Sequence, residues 1–180
     1  MRHRSSLVLL ALALAPLSVG PGGRGGGEPT GPRSEPPSAP GTDEAGSAVA
    51  GLPAVDNATD LGAAPVIQPG PGTPEPTLVT RDLVVGGGEE AAASSTVAIQ
   101  YVGTLYDSGE VFDATWTRGG RPTSFPLSGV VPGFAQGIVG MKIGGRRQIA
   151  IPPHLGYGAN DNGPIPGNST LVFIVDLLGV

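Results

Sequence analysis

Few side chains in this sequence could do chemistry, and the most suggestive is a single acid among aromatic residues. Asp113 directly follows Phe112. All eight aromatic side chains lie beyond residue 100: Tyr101, Tyr106, Phe112, Trp116, Phe125, Phe134, Tyr157 and Phe173. An aromatic segment with few polar groups is typical of a site that binds an apolar ligand and orients it with one or two polar anchors.

Other kinds of site lack their residues. The chain has no cysteine, which excludes disulfides, zinc–thiolate sites, iron–sulfur clusters and thiol nucleophiles. Its two histidines are His3 and His154, and His154 has no obvious nucleophile partner, so we interpret it as a surface residue. The glycine-rich segments 86–88 and 119–120 lack the spacing of phosphate-binding loops and are interpreted as turns. We therefore predict no metal and no cofactor.

One reaction fits this inventory. Rotating an X–Pro amide breaks no bond, and its barrier of roughly 18–20 kcal/mol comes from amide resonance. An apolar pocket disfavours the polar planar amide relative to the twisted one, and preorganised hydrogen-bond donors stabilise the twisted carbonyl. The residues alone do not separate such an enzyme from a binding module. Phe112, Phe125 and Phe173 would also suit an ordinary core, and Asp113 could merely cap its loop.

Composition divides the chain into two parts. Gly and Pro number 31 and 20 of 180 residues, yet hydrophobic residues reach 39%. Residues 20–76 contain no aromatic side chain, so they lack apolar area to offset roughly 1–2 kcal/mol of backbone entropy per residue. We predict a disordered Gly/Pro-rich linker over 21–76 and one globular domain over 77–180. The excess of 15 Asp and Glu over 10 Lys and Arg argues against a nucleic-acid partner.

The N-terminus has the layout of a secretory signal peptide. Residues 1–4 are basic and residues 7–15 are apolar, a run shorter than the roughly 20 residues that span a bilayer. We predict a signal peptide over 1–20, with cleavage after Ala15 or Gly20. Proline follows both positions, so an uncleaved signal anchor stays open as the alternative. The predicted location is secreted or at the cell surface, without a lipid anchor because no cysteine can be acylated.

The segments after residue 77 alternate between strand and turn patterns. One short helix is predicted over 132–140, with Pro132 near its start and Gly140 near its end. Strands are predicted over 78–85, 97–103, 111–112, 146–151 and 170–178, and loops over 116–121 and 154–167. The pattern predicts an α+β fold in which antiparallel strands pack against one helix.

Four ordered motifs resemble one family. They are residues 97–113 (VAIQYVGTLYDSGEVFD), 131–134 (VPGF), 140–158 (GMKIGGRRQIAIPPHLGYG) and 169–178 (STLVFIVDLL). In sequence and order they are similar to FKBP-type peptidyl-prolyl cis-trans isomerases, over about residues 77–180. The layout of the whole chain resembles secreted or surface members from high-G+C Gram-positive bacteria. The resemblance implies a five- or six-stranded antiparallel sheet that wraps one short helix, with a proline pocket between them.

The resemblance also implies roles for individual residues. The implied catalytic residues are Asp113, which faces the pocket and polarises the twisted amide, Tyr157, a hydroxyl donor to the substrate, and Tyr101 and Phe112, which form pocket walls. The implied substrate-binding residues are Phe125 and Phe173 as further walls, Phe134 as the floor, Val130 and Val131 at the edge, and Ile165 as a loop-tip contact. In the family, a backbone N–H of the segment at the pocket edge binds the ligand carbonyl.

Three features depart from the family pattern. Thr123 stands where an aromatic usually forms a pocket wall, Phe134 replaces the usual tryptophan, and the segment 128–130 is slightly short. The resemblance implies isomerisation of X–Pro bonds in exported, proline-containing polypeptides by a monomer. It also implies inhibition by macrolides such as rapamycin, with reduced affinity. The alternative is a non-catalytic binding or holdase module that uses the same pocket.

Overall fold

The computed structural model describes residues 51–180, which form eight strands and one helix. The strands are β1 (Val55–Asp56), β2 (Val66–Ile67), β3 (Val79–Val84), β4 (Thr96–Leu105), β5 (Val111–Ala114), β6 (Thr123–Pro126), β7 (Arg146–Ile151) and β8 (Leu171–Gly179), and the helix is α1 (Pro132–Ile138). Within this part of the chain, no helix is long and apolar enough to cross a membrane. The signal peptide predicted over 1–20 lies outside the described residues.

Six strands form one antiparallel sheet, which confirms the predicted α+β class. The strand order is β3-β7-β8-β4-β5, and β6 also pairs with β4. Residues 171–177 of β8 are buried on both faces, because α1 packs on one side and another segment covers the opposite side. The short strand β6 was not predicted, since its four residues end in proline and carry little alternation.

The face of the sheet that carries α1, the inner face, holds this helix at close range. A Cβ atom at Gly137 would lie 2.6 Å from Cγ2 of Ile149, so the close approach requires glycine there. Arg147 of β7 fixes the end of the helix, because Nη1 donates to the carbonyl oxygens of Gly137 and Val139 at 3.0 and 3.2 Å. Its Nε and Nη2 donate to Asp82 of β3 at 2.6 and 3.0 Å. The helix is therefore tied to two strands.

The opposite face, the outer face, is covered by residues 51–70, which we call the covering segment. Its strands β1 and β2 pair with each other and not with the main sheet. Leu52 and Ile67 are 4% and 5% exposed, and they belong to a second core with Val102, Val172 and Ile174. The covering segment therefore gives the sheet a second hydrophobic layer.

A buried ion pair ties the covering segment to the sheet. Arg146 of β7 lies opposite Asp176 of β8 and is fully buried; its Nε and Nη2 donate to the carboxylate at 2.5 and 2.7 Å. Its Nη1 and Nη2 also donate to backbone carbonyl oxygens of the covering segment, those of Asn57 (2.7 Å), Asp60 (2.9 Å) and Ala63 (3.3 Å). These five bonds satisfy a charge that burial would otherwise make costly.

The structure differs here from the linker predicted over 21–76. Residues 51–70 are folded against the sheet, and the domain therefore includes them and does not begin at 77. The composition argument assumed that the segment must bring its own apolar area. In fact a few apolar side chains suffice, because Arg146 binds its carbonyl groups and Gln148 Nε2 donates to the carbonyl of Pro53 at 2.9 Å. Residues 21–50 lie outside the described part of the chain.

Candidate active site

A cavity of about 520 Å³ opens between α1 and the inner face of the sheet. It is lined by aromatic, aliphatic and a few charged side chains: Tyr101, Phe112, Asp113, Arg118, Arg121, Pro122, Thr123, Phe125, Gly129, Val130, Phe134 and Phe173. Seven of the ten residues with an implied role thus meet at this cavity, Tyr101, Phe112, Asp113, Phe125, Val130, Phe134 and Phe173. The volume lies within the range of small-ligand sites.

The floor of the cavity is a cluster of interlocked rings. Phe134 of α1 and Phe173 of β8 are each 1% exposed, and their ring centroids lie 4.8 Å apart in an edge-to-face arrangement. Phe112 packs against Phe173 at 5.5 Å, and Phe125 packs against Phe134 at 5.9 Å. Such pairs are favourable and restrict one another. The floor is therefore apolar and preorganised.

A β-bulge brings Phe112 and Asp113 to the same cavity. Successive strand residues normally point to opposite faces of a sheet. Gly103 pairs with Asp113 and Thr104 pairs with Val111, so Phe112 is an extra residue that the register skips. A bulge re-aims side chains in this way. Gly103 makes room for the result, because a Cβ atom there would lie 2.8 Å from the ring atoms of both Phe112 and Phe173.

The carboxylate of Asp113 is held by two donors, one on each oxygen. The hydroxyl of Tyr101 donates to Oδ2, and Nη1 of Arg118 donates to Oδ1. Arg118 Nη2 also donates to the Tyr101 hydroxyl at 3.3 Å, and its guanidinium carbon lies 5.9 Å from the centre of that ring. Sequence reasoning missed Arg118. Its only signal was an opposite charge five residues after Asp113, in a segment interpreted as loop.

Burial keeps the tyrosine hydroxyls of the site protonated. Burial, reinforced by the hydrogen bond to Asp113, raises the pKa of Tyr101 to about 12. The pKa of Arg118 is also raised, mainly by its hydrogen bond to Tyr101. Tyr101 is therefore a neutral donor and Arg118 a cation across the physiological range, so the carboxylate of Asp113 keeps both partners.

Tyr157 has a second buried hydroxyl and packs against the inner core, although it does not line the cavity. It lies in a loop whose Gly158 has φ +72°, and the N–H of Gly158 donates to the carbonyl of Pro153 at 2.8 Å. The hydroxyl of Tyr157 is buried and has no hydrogen-bond partner among residues 51–180. Burial raises the pKa of Tyr157 to about 12, and the negative charge of Asp113 adds to the shift. A buried, protonated and unpaired hydroxyl is an available donor.

Three residues with an implied role do not line the cavity: Tyr157, Val131 and Ile165. Val131 directly precedes α1 as its N-cap residue, and its carbonyl accepts from the N–H groups of Phe134 and Ala135 at 3.0 and 3.2 Å. The N–H of Val131 finds no acceptor among the residues the structure describes. Ile165 was expected as a loop-tip contact, but it is 1% exposed within the inner core, because two backbone hydrogen bonds with Asn162 turn it inward.

The polar rim of the cavity was not assigned from sequence. Arg121 and Pro122 lie between β5 and β6, and Thr123 is the first residue of β6. Gly129 lies just before α1. Thr123 was noted only as a missing aromatic. In the part of the chain from 51 to 180, no three His, Asp or Glu side chains cluster closely enough to hold a metal ion.

Comparisons with known proteins point to one family. The family model for FKBP-type peptidyl-prolyl cis-trans isomerases matches residues 87–178, just over half of the chain. The chain is 46% identical over 101 residues to a probable FK506-binding protein of Corynebacterium glutamicum, which covers 56% of this chain and 85% of that protein. It is 44% identical over 113 residues to an FK506-binding protein of Streptomyces anulatus, covering 61% and 90%.

A solved structure agrees with these relatives. The crystal structure of FkpA from Escherichia coli is 48% identical and matches with a TM-score of 0.53, covering 56% of this chain and 46% of that one. This chain therefore spans about half the length of that protein.

Proposed function

The chain belongs to the family of FKBP-type peptidyl-prolyl cis-trans isomerases and is an enzyme of that kind, and from this premise we propose that the aromatic cavity is where it rotates X–Pro amides. The observation that carries the proposal is the placement of Asp113, with both oxygens held, at the edge of a closed cluster of rings. A carboxylate held in this way has a fixed position and orientation. The aromatic rings beside it provide an apolar seat for a proline ring.

The chemistry assigned to the cavity needs no covalent step. The proline ring lies on Phe134 and Phe173, and Phe112 and Phe125 exclude water at its sides. Loss of water disfavours the planar, more polar amide, so the barrier to rotation about the C–N bond falls. The bond rotates and no proton or electron is transferred to the enzyme.

Two donors are available for the carbonyl as it turns. The hydroxyl of Tyr157 is buried and unpaired among residues 51–180, and the N–H of Val131 is likewise without an acceptor there. We assign them to the substrate carbonyls on either side of the rotating bond. Because the Tyr157 hydroxyl is already buried and the Val131 N–H is fixed at the start of the helix, a carbonyl that reaches them gains hydrogen bonds with little reorganisation.

Asp113 acts on the amide through its charge. Tyr101 and Arg118 hold the carboxylate so that it faces the cavity. A fixed negative charge polarises the carbonyl carbon and nitrogen as resonance between them is lost. Asp113 does not need to accept a proton for this role.

We propose that the substrates are exported polypeptides and that the enzyme acts as a monomer outside the cytoplasm. The basic start and apolar run of residues 1–15 support export. Macrolide binding at the same cavity is supported by relatives named FK506-binding proteins. Substrates with an apolar residue before proline are favoured, since the cavity beside the proline seat is lined by rings.

The cavity assignment is tested with the purified protein and an X–Pro peptide. We expect acceleration of cis/trans exchange above the uncatalysed rate, inhibited by rapamycin. The double variant Phe112→Ala/Asp113→Ala is expected to lose most activity while it keeps its circular dichroism spectrum. Full activity in that folded variant would place the reaction elsewhere. Mass spectrometry of the mature N-terminus tests export separately, since cleavage after residue 15 or 20 is expected.

A further inference from the structure

The charges at the cavity do not balance. Three charged residues line it, Asp113, Arg118 and Arg121. Asp113 and Arg118 form an ion pair with each other, which leaves one positive charge. Arg121 is exposed and makes no salt bridge with any residue from 51 to 180. The chain as a whole carries a net charge of −5, so a positive rim is opposite in sign to the rest of the molecule.

The loop that carries Arg121 is held in place. Gly119 and Gly120 have φ +83° and +66°, and the N–H of Gly120 donates to the carbonyl of Thr115 at 3.1 Å. The side chain of Gln100, on β4, donates to the carbonyl of Gly120. Pro122 fixes the backbone on the other side of Arg121. The guanidinium group therefore extends from an ordered base, which lowers the entropy lost when it binds an anion.

The wall next to Arg121 is open. Thr123 pairs with Ile99 at the edge of the sheet and lines the cavity with a short polar side chain. A peptide that lies over the proline seat can therefore place a neighbouring side chain against Thr123 and Arg121. The opening is polar on both sides, which disfavours an apolar side chain there and suits one that accepts hydrogen bonds.

We propose that Arg121 and Thr123 form a subsite for a carboxylate, so that the enzyme prefers X–Pro segments with an acidic residue within two positions of the proline, other than the position directly before it. The subsite rests on the proposed function of the cavity and names its substrate class more narrowly. Arg121 binds the acidic side chain through charge-assisted hydrogen bonds, and Thr123 donates its hydroxyl to the same group. The seat for the proline ring itself stays lined by apolar side chains.

The expected preference is modest and sensitive to salt. Exposed ion pairs contribute about 0.2–1 kcal/mol, which corresponds to a rate ratio of roughly 1.4- to 5-fold between an acidic and an isosteric neutral side chain. The Debye length falls from about 8 Å at physiological ionic strength to about 3 Å at 1 M salt. The ratio should therefore shrink toward one in high salt, whereas a preference based on packing would not.

The test uses the full chain and a panel of X–Pro peptides. Glu, Gln or Lys replaces each of the two residues before and the two residues after the proline in turn. NMR exchange measures kcat/KM, so that no helper protease adds its own preference, and calorimetry measures Kd. We expect Glu to exceed Gln by about two- to fivefold at one position at least, with Lys below both.

Matched variants assign the preference to the residue. R121Q should bring the Glu-to-Gln ratio close to one, and R121K should keep most of it. K142Q removes the same charge from an exposed residue that does not line the cavity, and it should leave the ratio unchanged. Because each ratio is measured within one variant, a general loss of activity cancels.

The possible outcomes separate this subsite from the cavity assignment. A ratio near one at every position in the unmodified protein, or a ratio that survives in R121Q, overturns the subsite while isomerisation stands. A Glu preference in Kd without turnover supports the subsite and overturns the catalytic role of the cavity. Absence of both binding and turnover overturns both.

Discussion

The two faces of the sheet are packed by different kinds of interaction. The inner face carries interlocked aromatic rings around a cavity, and Asp113, Arg118 and Arg121 line that cavity. The outer face carries a fully buried ion pair and hydrogen bonds to backbone carbonyls, covered by a segment without aromatic residues. This comparison indicates that substitutions on the outer face can lower stability without changing binding, because the outer-face residues do not line the cavity.

The largest expected effect comes from breaking the ion pair under the covering segment. Asp176→Ala leaves the buried guanidinium of Arg146 without its counter-ion, so the free energy of unfolding should fall by about 3–5 kcal/mol. Urea denaturation measures this, and the folded fraction should keep its kcat/KM. The matched variant Asp82→Ala breaks a more exposed pair with Arg147 and should cost at most about 1 kcal/mol. Equal losses of unfolding free energy in the two variants would contradict this difference between the buried and the exposed ion pair.

A smaller effect should follow from thinning the covering segment itself. Ile67→Ala removes a side chain that is 5% exposed and should lower the free energy of unfolding by about 2 kcal/mol, the low end for buried sites, because a two-residue strand can relax. Val66→Ala, at a neighbouring residue that is 50% exposed, should change it by less than about 0.5 kcal/mol. If both variants unfold at the same urea concentration, the segment does not contribute to stability as described.

On the inner face, filling the open wall should strengthen macrolide binding without a comparable change in stability. Thr123→Phe adds a ring beside the cavity, and an aromatic contact contributes about 0.5–1.5 kcal/mol, so rapamycin should bind roughly 2- to 12-fold tighter. Calorimetric titration measures the dissociation constants. Thr123→Val, which adds no ring, serves as the control, and an equal gain in that variant would show that polarity, rather than the missing ring, limits binding.

The smallest effect at neutral pH concerns the tyrosines. Tyr101 and Tyr157 titrate near pH 12 in the folded chain, against about 10 in the unfolded one, so the folded state holds more protons between these values. The free energy of unfolding should be independent of these groups below pH 10 and should fall as pH rises from 10 to 12. Ultraviolet titration of tyrosinate measures the pKa values from which this fall in the free energy of unfolding follows. A phenol of the inner face that ionises near pH 10 in the folded protein would contradict the burial of Tyr101 and Tyr157.

The inner face was largely predictable from sequence because its signals are local. Alternation located β4 and β7, Pro132 and Gly140 bracketed α1, and the motif containing Phe112 and Asp113 carried the resemblance to a family. The structure places most of the implied site residues around one cavity, although their catalytic roles stay predictions. The bulge that turns two successive residues to the same side was not predictable, since it depends on the register with β4.

Contacts that the sequence pattern does not show explain the remaining misses. Arg118 and Arg121 stood in a segment whose glycines indicated only a loop, and which charges face the cavity depends on how that loop is tied to Gln100. Ile165 is an apolar residue in a polar loop, and the direction of its side chain follows from two backbone hydrogen bonds. The covering segment was missed because its partner, Arg146, lies more than 80 residues away in sequence.

The way Arg146 holds the covering segment bears on how such a segment evolves. Main-chain carbonyl groups are present whatever the side chains are, so a guanidinium that binds three of them is largely indifferent to residue identity. Burial constrains Leu52 and Ile67 of the segment. Gly51 and Asn57 have φ +82° and +56°, a conformation that few residues adopt. Substitutions can therefore accumulate at many of the other positions while selection preserves the position of the segment. Equivalent covers in relatives are better sought by superposition of backbones than by alignment with the family model, whose match begins only at residue 87.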